Sequence, residues 1–106
     1  MTHEEKMTMA RQVFDTCLTV LDKKGRDYSG TEDAMSNFND FGSMGILVRI
    51  GDKYNRAKNL TKAGKAFVHD ESLNDTVMDM LNYSLLWLIM KHIEEEKANV
   101  TGQTFI

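Results

Sequence analysis

Ala10, Val13, Phe14, Cys17, Leu18 and Leu21 recur three and four residues apart, the spacing of one face of an α-helix. Thr2 can cap that helix and Glu5, three residues on, completes a capping box, so the helix is predicted to start at Thr2. Gly25, just after Lys23 and Lys24, is its expected stop. Residues 25–43 are rich in Gly, Ser, Asp, Asn and Thr and read as a connector, with one short helix around residues 32–37. A connector this long is uncommon in a small domain unless it has a task. A second long helix is predicted from Ser43 to Leu60. A basic link from Thr61 to Lys65 then leads to His69-Asp70-Glu71-Ser72. The last long helix starts at Ser72 or Asn74 and runs to Ala98, leaving a tail that is loose or used in an oligomer contact. No stretch alternates at period two for long enough to make a strand. The pattern predicts an all-α fold: a helical bundle of three long helices plus one short helix, completed by oligomerisation.

Composition narrows this further. With 106 residues the chain is expected to form one domain, residues 1–106, and a core of that size gains from an oligomer, a metal or a ligand. The absence of proline beside eight methionines agrees with helices. A hydrophobic share of 42% and a charged share of 27% are those of a globular chain, not a disordered one. A net charge of −3 is too mild for a nucleic-acid scaffold, and nothing points to DNA or RNA as a partner. The single cysteine, Cys17, excludes an internal disulfide framework and a cysteine-rich zinc site; it reads as a small buried hydrophobe. The polar, acidic start carries no signal-peptide pattern. Leu85 to Met90 is apolar but far short of the roughly 20 residues a membrane span needs. A cytoplasmic protein without membrane contact is expected.

The chemistry gathers on the last two helices. At about 100° per residue, Arg49, Asp52, Lys53, Arg56 and Asn59 share one stripe of the second helix, while Leu47, Ile50, Tyr54 and Ala57 take the other side. Between Arg49 and Lys65 six basic residues (49, 53, 56, 58, 62 and 65) face one acid, Asp52. On the last helix Asp75, Asp79 and Asn82 sit at i, i+4 and i+7, with Val77, Leu81, Leu85, Leu88 and His92 opposite. His92, on the apolar side, is expected as a hydrogen-bonded core or interface residue, and Glu94-Glu95-Glu96 as a solvated face. Two carboxylates four residues apart repel, so something positive should compensate them. That is either the basic stripe of the preceding helix or a hard divalent cation with oxygen ligands. If both faces meet, the carboxylates can hold Mg²⁺, and the cation and the lysine/arginine stripe can hold a polyphosphate, as phosphoryl chemistry requires.

Three segments carry a resemblance. They are Asp27-Tyr28, the run Leu47-Val48-Arg49-Ile50-x-Asp52-Lys53-x-x-Arg56-x-x-Asn59-Leu60, and Asp70-Glu71-Ser72-x-x-Asp75-Thr76-x-x-Asp79-x-x-Asn82-Tyr83. Over roughly residues 20–90 the chain resembles the nucleotide-modification-associated proteins of bacteriophages. Those are similar in turn to the all-α nucleoside triphosphate pyrophosphohydrolases of the MazG type. The resemblance implies Mg²⁺ and cleavage of a (deoxy)nucleoside triphosphate to monophosphate and pyrophosphate, in phage nucleotide metabolism and host cytoplasm. It implies Asp52, Glu71, Asp75 and Asp79 as the pool of metal ligands, with Asp52, Asp75 and Asp79 as the catalytic candidates. Arg49, Lys53, Arg56 and Asn59 would meet phosphates; Asn37, Asn82 and Tyr83 would meet base or sugar; Asp27 and Tyr28 would close over them as a lid. MazG-type enzymes carry Glu-x-x-Glu where this chain has Arg49-x-x-Asp52. That departure suits a second reading, a non-catalytic nucleotide-binding protein that sequesters a nucleotide signal of host defence. A dimer or tetramer is expected in either case.

Overall fold

The computed structural model describes residues 1–29, 33–62 and 71–101, with backbone alone for residues 27–29, 71, 72, 100 and 101. The fold is all-α: helix α1 (His3–Ser29), a 3₁₀ turn (Ser36–Phe38), α2 (Gly42–Lys62) and α3 (Glu71–Thr101), with no strand among the described residues. The chain divides into two compact units, Met1–Asn37 and Phe38–Ile106.

In the first unit, Thr2 caps α1 as expected: its Oγ1 accepts from Glu5 N at 3.0 Å, and its carbonyl from Lys6 N at 3.0 Å. Cys17 is buried on this helix, in keeping with its reading as a small apolar residue. The expected stop at Gly25 does not occur, and α1 runs on to Ser29. No neighbour crowds Gly25 and its φ is not positive, so it is an ordinary helical residue. An interior glycine costs only about 1 kcal/mol relative to alanine, and a helix of 27 residues absorbs that. Asp27 and Tyr28 therefore stand on a helix backbone rather than in a loop; their side chains lie outside the described residues. The expected short helix appears as the 3₁₀ turn alone. Asp33 opens it, its Oδ1 accepting from Met35 N at 2.9 Å and its carbonyl from Ser36 N at 3.1 Å. Residue 32, the expected start, is not among those described.

The second unit is a helical hairpin. Contacts pair Ser43 with Glu94, Lys53 with Asp79 and Arg56 with Thr76, so α2 and α3 run antiparallel. The inner face of α2 is formed by Ile46, buried to 1%, and by Ile50, Lys53, Ala57 and Leu60 at i+4, i+7, i+11 and i+14. Burying Ile46 contributes about 2 kcal/mol. Leu47 and Tyr54, expected beside Ile50 and Ala57, are exposed instead. On α3 the buried positions are Thr76, Asn82, Met90 and Ala98, whereas Val77, Leu81 and Leu88 are exposed. His92 is likewise exposed and meets Glu96 Oε1 at 3.0 Å, so it is no core residue. The inward side of α3 mixes polar Thr76, Asp79 and Asn82 with apolar Leu86, Trp87 and Met90, and Asp79 meets Lys53 of α2 there. Among the described residues no helix is long and apolar enough to cross a membrane.

Candidate functional site

The seam between α2 and α3 brings the two predicted faces together. Lys53 Nζ lies 3.1 Å from Asp79 Oδ2, with side-chain exposures of 30% and 17%. One turn further along α2, Arg56 Nε donates to Thr76 Oγ1 at 3.3 Å, and Thr76 is buried. Thr76, Asp79 and Tyr83 recur at i, i+3 and i+7 and so share the stripe that looks at α2. Of the two candidates for compensating the paired aspartates, the basic stripe is in place at Asp79.

The remaining candidates on α2 and α3 grade outward from this seam. Asn82 is buried and Tyr83 half-buried on α3, while Asp75, at the acidic end of the helix, is exposed. Arg49 and Arg56 are exposed at the rim of α2; Asp52 and Asn59 are exposed still further round the helix. Asn37 is exposed in the 3₁₀ turn. The side chain of Glu71 lies outside the described residues, as do residues 65, 69 and 70 entirely.

A divalent cation can be tested against this arrangement. Among the described residues no three His, Cys, Asp or Glu side chains gather closely enough to hold a metal ion. Mg²⁺ seldom occupies an all-protein cage, however; one or two carboxylates, phosphates and water are its usual partners. Of the expected ligands, Asp79 has Lys53 Nζ 3.1 Å from its Oδ2 and Asp75 is exposed, so a cation there would have to bring further oxygen ligands with it.

Two partnerships had little signal in the sequence. Thr76 looks like a spacer between acids, yet its hydroxyl anchors Arg56; only the i+7 relation to Tyr83 hinted at it. Glu94 is no solvated face: it accepts from Ser43 N at 3.3 Å and from Ser43 Oγ at 3.0 Å, capping α2 from the far end of α3. Fifty-one residues separate the two, so no local pattern betrays the contact. Glu95 and Glu96 are exposed as expected.

The family described as nucleotide modification associated domain 1 matches residues 24–90, well over half of the chain and the segment that holds the seam. No curated protein and no solved structure matches.

Proposed function

The chain belongs to the nucleotide modification associated domain 1 family, and from that premise we propose that the α2–α3 seam binds a (deoxy)nucleoside triphosphate and cleaves it. The carrying observation is the half-buried Lys53–Asp79 pair, with Arg56 on Thr76 one turn along. It supports a face where cations and carboxylates alternate, as a magnesium-bearing polyphosphate requires. Arg49, Lys53, Arg56 and Asn59 take the phosphates, arginine in bidentate fashion. In the reaction, a water oxygen bonds to the α-phosphorus and the bridging bond to the β-phosphate breaks. Nucleoside monophosphate, pyrophosphate and a proton are released. Asp75 and Asp79, with Asp52 and Glu71 as further candidates, would hold Mg²⁺ together with the phosphates. When bound it neutralises phosphate charge and polarises water. One of the three aspartates orients that water. Asn82 and Tyr83 serve the nucleoside, on the strength of the MazG-type resemblance. We place this activity in phage nucleotide metabolism, in a homo-oligomer.

A second reading is favoured by Arg49 standing where MazG-type enzymes have a carboxylate. On that reading the chain would be a phage protein that binds a nucleotide without turnover and so removes a host defence signal. Incubation with Mg²⁺ and a panel of nucleoside triphosphates separates the two. Pyrophosphate release that is lost in Asp79→Asn establishes hydrolysis. Nucleotide retained through desalting, with none released as product, establishes sequestration. Neither result would remove the seam as a nucleotide site.

A further inference from the structure

We propose that the nucleobase sits in a pocket at the N-terminal mouth of α2, with the phosphates running from it along Arg49, Lys53 and Arg56; this rests on the nucleotide reading above. The pocket has a volume of about 280 Å³ and is lined by Phe38, Phe41, Gly42, Gly45, Val48 and Arg49. That is just under the roughly 300–1,000 Å³ of drug-sized ligand sites, room for one heterocycle and not for a whole nucleotide.

Three features select a base as the occupant. The first is aromatic: Phe41 is 75% exposed, an uncovered ring beside a second ring, as in platforms on which bases stack. Gly45 makes this possible, since a Cβ there would run into Phe41 Cβ. The second is continuity. At about 100° per residue, Gly42, Gly45, Arg49, Lys53 and Arg56 fall within roughly 80° of one another. One stripe of α2 thus passes from two glycines, against which Phe41 and Glu94 lie, into the cations. Arg49, which borders the pocket, precedes Arg56 by about 10 Å of helix, enough to accompany three phosphates.

The third feature is polarity. The first amides of α2 would ordinarily attract a phosphate, but Ser43 N is taken by Glu94, whose carboxylate lies 3.2 Å from the position of a Cβ on Gly42. That end of the stripe carries a fixed negative charge and repels an anion. The far end carries Lys53, Arg56, Lys58 and Lys62. A nucleotide therefore lies base toward Phe41 and phosphates toward Lys62. By the antiparallel register Tyr83 stands level with Arg49, at the joint between base and phosphates.

Calorimetric titration of the whole protein with the four α,β-methylene deoxynucleoside triphosphates and with inorganic tripolyphosphate tests this. Phe41→Ala should weaken the tightest nucleotide about ten- to hundredfold, the loss of one base–ring stack, while tripolyphosphate changes less than twofold. Phe41→Trp should restore nucleotide affinity. Equal losses for both ligands, or no loss for either, would overturn the base pocket and leave the phosphate site standing. Wild-type protein that binds neither ligand would bring down the nucleotide reading and this inference together. A shift in oligomeric state in Phe41→Ala, with both affinities intact, would assign the pocket to a second copy of the chain and refute the proposal. Phe41 is exposed enough that these variants retain the fold.

Discussion

Replacing Lys53 by Met and Asp79 by Asn, singly and together, measures the contact on which the site depends. At 3.1 Å the two charges attract by about 5 kcal/mol at an effective dielectric near 20. Most of that is cancelled by the cost of drawing both groups from water. Exposed pairs yield about 0.2–1 kcal/mol and breaking a buried pair costs about 3–5. With exposures of 30% and 17% this pair lies between those limits, and a coupling energy of about 1–2 kcal/mol is expected. Lys53→Met alone, which takes the cation from a mostly enclosed carboxylate, should cost about 2 kcal/mol. Asp79 takes part in a further interaction, so the single variants need not match; the double-mutant cycle isolates the shared term. Urea unfolding followed by helical circular dichroism provides the numbers, with Tm in Lys53→Met lower by about 8 °C or more. A coupling below about 0.3 kcal/mol would mean that the two helices do not present their charged faces to each other, and the proposed site would fall with it.

Gly42 has φ 62°, a left-handed conformation that strains other residues, and a Cβ there would also press on Glu94; Gly42→Ala should lower stability by about 1–2 kcal/mol in chemical denaturation, and an unchanged midpoint would contradict that backbone. Glu94→Ala removes the cross-helix cap on the Ser43 amide and hydroxyl and should cost about 1–2 kcal/mol, with amides of the first turn of α2 exchanging faster by NMR. Thr76→Val keeps the shape but removes the acceptor for Arg56, at about 1 kcal/mol; no change would make that hydrogen bond energetically silent. Leu88, 60% exposed on the side of α3 that also carries exposed Leu81 and Val77, is expected in a self-association surface. Leu88→Glu should shift light scattering from dimer or tetramer toward monomer, whereas a wild-type monomer at micromolar concentration would contradict the oligomer.

Helix content was legible in the residues because it is a local property. The i, i+3, i+4 recurrences, the Thr2 cap and the absence of proline act over one or two turns, and α1 begins where they say. The same holds for the charged stripes, which follow from 100° per residue alone. Helix ends were less legible: Gly25 ends a helix only if the chain adopts the left-handed conformation there, and among the described glycines it does so at Gly42, where α2 begins, while α1 runs through Gly25. Which side of α3 is inward was decided by its partner. Periodicity favoured burying Val77, Leu81 and Leu88, but α3 carries apolar residues on more than one side, and it is Leu86, Trp87 and Met90, with Asp79 paired to Lys53, that turn inward while Val77, Leu81 and Leu88 are exposed. Glu94 illustrates the limit most plainly, since its role exists only once two antiparallel helices place it over the open amides of Ser43, a meeting of groups 51 positions apart that no periodicity encodes.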